Sequence, residues 1–145
     1  MTQSTYGIED LNAVISHPAF GSFQLNGAGI VSVTFGRATD TAQQDVAADG
    51  SVMTSKISAK NGPVTIVLQQ TSDAAMWLTR LFNYLENSPS SEFTRTVISA
   101  SSKAMGTSHT ATGCAPQKMP DSAYGAQGAQ ETYTFLAAQT EKGVA

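Results

Sequence analysis

The chain has 145 residues, a formal net charge of −3 and a sequence pI near 5.2. Only 13% of its residues are charged, against about 25% in an ordinary soluble domain. That balance excludes a basic, sequence-independent grip on duplex DNA; the single cysteine, Cys114, excludes an intrachain disulfide and a multi-cysteine zinc site.

The opening stretch Met1–Asp10 is polar and reads as no signal peptide. The Glu9-Asp10 pair has the chemistry of a general acid–base couple, although adjacent carboxylates at a strand entrance are ordinarily just solvated. Leu11–Ser16 is a short strand that stops at the His17-Pro18 turn signal, where His17 reads as a solvated turn residue. Phe20, Phe23 and Leu25 follow, then a Gly27-Ala28-Gly29 break. This break has no second half and no following helix, so it makes no dinucleotide site. Ile30–Phe35 alternates, with Val31, Val33 and Phe35 predicted on one face and Ser32 and Thr34 on the other.

Gly36–Gln44 is polar and reads as a solvated loop or the tip of an extended hairpin. Asp49-Gly50 is a strong turn signal. Val52–Ala59 is predicted as a strand with Met53, Ile57 and Ala59 on one side. Asn61-Gly62 is predicted as a tight hairpin turn, after which Val64, Ile66 and Leu68 return in alternation.

One strong helix is expected, at about residues 72–86. Leu78, Leu81, Phe82 and Leu85 recur at i, i+3, i+4 and i+7, Trp77 joins them in the predicted core, Thr71 or Ser72 can cap the start, and Asp73 suits the positive end of the dipole. Ser88–Ser91 reads as loop, Phe93–Ser99 as strand, and Ser101–Gly106 as turn. Ser108–Cys114 reads as a returning strand that opens near His109, again taken as solvated, and Ala115–Gln127 as a long surface loop. Glu131–Ala137 is predicted as the last strand, with Tyr133 and Phe135 on one face. Cys114, among small apolar neighbours, reads as a buried thiol.

A lone helix with a heavy apolar stripe needs a sheet to bury against, so the expected fold is mainly β: a sandwich or barrel with one flanking helix. No linker or repeat divides the chain, which reads as one domain over residues 1–145 with loose ends at 1–7 and 140–145. No segment approaches ~18 consecutive apolar residues, so no helix is expected to span a bilayer. Neither histidine has another ligand type beside it at metal spacing, no G-x-S-x-G elbow is present, and aromatics are not interleaved with Lys or Arg. No catalytic, metal or cofactor site is expected.

Several segments taken together carry a resemblance. They are Val46 through Lys56, the Lys60-Asn61-Gly62 turn, Gln69–Glu86 with Trp77-Leu78 and Asn83-Tyr84-Leu85-Glu86, and Ala111 through Lys118 to Tyr124. In that order they make the chain, from about Ile8 to Ala138, resemble the tail tube subunits of contractile-tailed bacteriophages. The resemblance implies a structural protein of the virion, assembled in the host bacterial cytoplasm. Its copies would form hexameric rings that stack into a tube inside a contractile sheath. Its implied partners are other copies of itself, the sheath protein, a tape-measure protein, a baseplate tube-initiator and DNA passing through the lumen without sequence-specific binding; no membrane is involved. The polar hairpin from Gly36 to Gly50 is then the candidate inter-ring element, through Arg37, Asp40, Gln43, Gln44, Asp45 and Asp49. The Ala115–Gln127 loop and the N-terminal residues are candidate seats for it. Another tail or baseplate ring component, a stand-alone β-domain binding module, and an enzyme with an unrecognised site remain open.

Overall fold

The computed structural model describes residues 3–25 and 29–144. A 3-10 turn at Ile8–Asp10 leads into β1 (Leu11–His17), β2 (Gly21–Gln24) and β3 (Ile30–Phe35). An excursion follows, made of β4 (Ala42–Val46) and β5 (Val52–Lys56). Then come β6 (Gly62–Gln69), helix α1 (Asp73–Glu86), the single turn α2 (Ser90–Phe93), β7 (Thr96–Ser102), β8 (Thr107–Pro116), β9 (Gln130–Ala137) and β10 (Gln139–Val144). Among the described residues eight strands form one antiparallel sheet in the order β2-β1-β7-β8-β9-β6-β3, with β10 also along β8, and β4 and β5 pair only with each other.

The sheet changes partners within β8. Thr107–Thr112 pair with β10, whereas Ala115 and Pro116 pair with β9. The switch falls at Gly113, whose φ of +64° suits glycine, and a Cβ there would stand 2.8 Å from the Cβ of Ala138. Ala138 is the one residue between β9 and β10, and its N–H reaches the carbonyls of Thr112 and Gly113 at 3.1 and 3.2 Å. A left-handed glycine opposite a small residue lets two strands bend together, as at a bulge. Folded this way, the sheet turns its alternating apolar face inward. Val64, Ile66 and Leu68 of β6, Tyr133 and Phe135 of β9, Ala13 and Ile15 of β1, and Ile98 and Ala100 of β7 are all buried.

Helix α1 fills the space between those inner faces. Ser72 caps it, its Oγ accepting the Ala75 N–H at 3.2 Å, and Asp73 lies in the first turn. Leu78, Leu81, Phe82 and Leu85 are buried, and the Phe82 ring meets Tyr133 and Phe135 edge-on at 5.4 and 5.1 Å. Trp77 lies at the flank of this stripe instead of inside it: it is half-buried, stacked on Phe23 at 5.5 Å with Phe20 against its edge. The mainly β architecture with one substantial helix is the one the sequence predicts.

Several local expectations are corrected. Asn61-Gly62 is no hairpin turn: β5 pairs with β4, and β6 pairs with β3 and β9. A type I′ turn needs positive φ at both central residues, and Asn61 and Gly62 lack it. Gly62 is glycine because a Cβ there would collide with the Gly36 carbonyl and stand 2.8 Å from the Arg37 Cα. Accordingly, Gly62→Ala is expected to lower the melting temperature by several degrees, the signature of an overpacking cost of about 1–3 kcal/mol; an unchanged melting temperature would contradict the close approach. Val31 leaves the Val33–Phe35 face, because a bulge between Ile30 and Ser32 exposes it. Ser90–Phe93 is a helical turn, which moves the next strand to Thr96–Ser102 and takes Ser101 and Ser102 out of the predicted turn. Residues 140–144 are not a loose tail: they form most of β10, and the Thr140 hydroxyl donates to the Lys60 carbonyl at 3.2 Å. Met1, Thr2, Asn26, Gly27, Ala28 and Ala145 lie outside the described residues, and with them most of the predicted Gly27-Ala28-Gly29 break.

Candidate functional site

Both histidines and Cys114 are built into the fold. His17 is buried rather than solvated. Its Nδ1 accepts the backbone N–H groups of Ala19 and Phe20 at 3.1 and 3.3 Å, so its Nε2 carries the proton and donates to the Glu92 carbonyl at 2.9 Å. Both nitrogens are thereby occupied in joining the β1–β2 turn to α2. His109, also expected in solvent, is half-buried with its ring stacked on Phe35 at 4.8 Å; burial and the nearby Lys142 charge lower its pKa. Glu9 and Asp10 are exposed in the 3-10 turn. Among the described residues no group of three or more His, Cys, Asp or Glu side chains is placed to hold a metal ion.

Cys114 is fully buried, and burial pushes its thiol up to about 12 from the usual 9.0. Burial and the Glu131 carboxylate likewise raise the Tyr133 phenol to about 12 from 10.0. The unfolded chain ionises both groups near their usual values while the fold keeps them neutral. Their contribution to stability is therefore full below about pH 9 and is lost as pH rises toward 12. Thermal melts between about pH 8 and pH 11 are expected to show a falling melting temperature, and a flat series would contradict the burial of these two groups.

The element that stands apart is the β4–β5 arm. Every residue from Ala42 to Lys56 is exposed. An isolated two-stranded ribbon is marginal in water, so the arm depends on its turn and its root. In the turn, Asp49 Oδ1 accepts the Ser51 N–H at 3.0 Å, which holds its carboxyl below the usual range, and Ala47 and Ser51 bond at 2.8 Å. At the root, the Ile57 N–H donates to the Thr41 carbonyl at 2.8 Å and the Ala38 N–H to the Asn61 carbonyl at 3.0 Å. The Thr39 hydroxyl donates to Asn61 Oδ1 at 3.1 Å.

The six predicted interface residues are spread over this element. Gln43, Gln44 and Asp45 lie on β4, Asp49 in the turn, and Asp40 in the exposed lead-in. Arg37 belongs to the root: its Nη2 donates to the Thr140 carbonyl at 3.0 Å, tying the arm to β10. Register sorts the arm into two faces. Ala42–Lys56, Gln44–Thr54 and Val46–Val52 share one; Gln43–Ser55 and Asp45–Met53 share the other. Val46, Val52 and Met53 are 64%, 56% and 62% exposed. None of the three is among the predicted interface residues, and Met53, predicted to share one side of its strand with Ile57 and Ala59, is uncovered instead. The sequence signal for the two valines is their placement on either side of the Asp49-Gly50 turn.

Two further features concern the sheet. Among the described residues β2, β3 and β10 are each paired along one flank only, leaving three open edges. The face of β1, β7, β8 and β10 turned from the core carries small neutral side chains such as Asn12, Ser99, Ser101, Thr110 and Thr112; Glu141 is its one charge.

Compared with known proteins, residues 3–144 match the family model described as bacteriophage PhiTE tail tube protein. No curated protein matches. The fold is similar to solved structures at low identity. A chain in the 6-fold symmetrised baseplate of the anti-feeding prophage has a TM-score of 0.67 at 8% identity, over 98% of this chain and 97% of that one. A chain of the anti-feeding prophage tube-terminating cap has 0.58 at 11%, over 100% and 95%. A chain of the extended sheath–tube complex of an extracellular contractile injection system has 0.57 at 10%, over 97% and 93%.

Proposed function

The chain belongs to the bacteriophage PhiTE tail tube protein family, and from that membership we propose that it is the repeating subunit of a phage tail tube, assembled into stacked hexameric rings within a contractile sheath. The observation that carries the proposal is the β4–β5 arm, fully exposed and, among the described residues, paired only with itself. An arm of this kind has a physical reason to exist if a neighbouring copy covers it. The three open edges give neighbours in one ring a backbone to pair with, and a head-to-tail contact whose rotation closes makes a ring. The outer face of β1, β7, β8 and β10 contributes no positive side chain of its own, which suits a channel wall, because only cations on the wall would neutralise phosphates and release their counter-ions.

In this reading the protein's role is structural, without catalysis. The polar interface residues Asp40, Gln43, Gln44, Asp45 and Asp49 surround the arm's apolar contacts, and Arg37 aims the arm. The sheath protein would cover the tube's outside, a tape-measure protein and a baseplate tube-initiator would set its length and start, and DNA would pass through the lumen. The particle would be put together in the host bacterial cytoplasm. A second reading, a tube-terminating ring, is favoured by the similarity to the anti-feeding prophage cap chain.

Mass photometry across a concentration series separates the two. A tube subunit is expected to pass from the 15.1 kDa monomer through a hexamer of about 91 kDa to open-ended multiples of it. A distribution that ends at one ring would favour the terminator, and a monomer at every concentration, with added initiator complex as well, would overturn both.

A further inference from the structure

On the premise that the arm bridges rings, we propose that its Val46–Val52 face docks in an apolar cleft at the N-terminal end of β3 on a second copy of this chain. The plug is specific. Val46 and Val52 are direct cross-strand partners beside the turn, and both are more than half exposed. The face they share continues through Gln44–Thr54 to Ala42–Lys56, so its one charge is the Lys56 ammonium; the arm's strand carboxylate, Asp45, lies on the opposite face with Met53.

The seat is a cleft of about 130 Å³ lined by Ile8, Glu9, Leu11, Leu25 and Ile30. Ile8 is 41% exposed, so the cleft leaves an apolar side chain to be covered. Its rim carries Glu9, with Asp10 next to it, and among the described residues no cation lines it. Plug and seat thus match twice, valines to isoleucines and leucines and Lys56 to two carboxylates.

Their placement explains why another copy is needed. Ile30, at the start of β3, lines the cleft, whereas Phe35, at its end, leads through residues 36–41 into the arm. The two sites lie at opposite ends of one strand, about 17 Å of extended chain. A plug at one end and a seat at the other make a heterologous contact that every added copy regenerates, the geometry of an open stack. Burying two valines and the exposed part of Ile8 supplies the desolvated centre that such contacts depend on.

The test pairs Val52→Cys with Ile8→Cys in the full chain. The one native thiol, Cys114, is buried and does not compete. Assemblies oxidised with copper phenanthroline are expected to give a ladder of disulfide-linked oligomers that reductant collapses, with neither single variant laddering. A charge test runs beside it: Glu9→Lys with Asp10→Lys is expected to weaken stacking on the order of tenfold, and adding Lys56→Glu to restore it. Parent assemblies with an unlinked cysteine pair would overturn the docking and leave the tube reading standing. Failure of the parent chain to assemble at all would instead strike the tube reading itself.

Discussion

Replacing Ala42–Lys56 with a two-residue Asn-Gly turn is expected to leave the subunit folded and abolish stacking. No core side chain lies in the excised segment, since all of its residues are exposed. The cut ends already meet, because the Ile57 N–H donates to the Thr41 carbonyl at 2.8 Å, and a type I′ turn fits such a pair. Shortening the loop also lowers the entropy cost of closing it. The melting temperature should therefore stay within a few degrees of the parent's, while the assembled mass drops to single rings or monomers. Tubes of normal length from this variant would remove the arm from the assembly mechanism.

Phe82→Ala is expected to have the largest effect on stability, about 3–5 kcal/mol. The ring is fully buried and packs edge-on against both Tyr133 and Phe135, so its loss leaves a cavity between α1 and β9 that neither neighbour can fill without leaving its own position. For a chain of this size the melting temperature should fall by about 10 °C or more. Met76→Ala, on the exposed side of the same helix, is the matched control and should stay within about 0.5 kcal/mol. Equal losses in the two variants would show that α1 does not hold the core in this way.

The parts of the fold that could be read from the sequence are those set by near neighbours in the chain. The α1 stripe and its Ser72 cap are local signals, and so is the strict alternation of Val64, Ile66 and Leu68. The Asp49-Gly50 turn formed where predicted because both flanking runs pair across it. Asn61-Gly62 carries an equally strong local signal and misleads, because Gly62 is demanded by a backbone 26 residues upstream, at Gly36. His17 precedes a proline in a turn, yet Glu92 closes over it from 75 residues away. The sequence Gln-Thr-Glu-Lys-Gly-Val has no apolar alternation, and only pairing with β8 makes it β10.

The candidate site was half legible for a similar reason. A polar stretch around an Asp-Gly turn points to a projecting hairpin, and its carboxamides and carboxylates are the natural first choice for contacts. Arg37 has its guanidinium engaged at the root, which depends on β10 being there. That Val46 and Val52 are uncovered follows from β4 and β5 pairing, among the described residues, with nothing but each other.

Cryo-electron microscopy of the purified chain at high concentration, with the baseplate initiator complex added, tests the central claim most directly. The expected image is a hollow cylinder of stacked six-copy rings, each arm crossing to the ring beside it. A field of separate monomers, with β2, β3 and β10 left unpaired and the arm free in solvent, would contradict it.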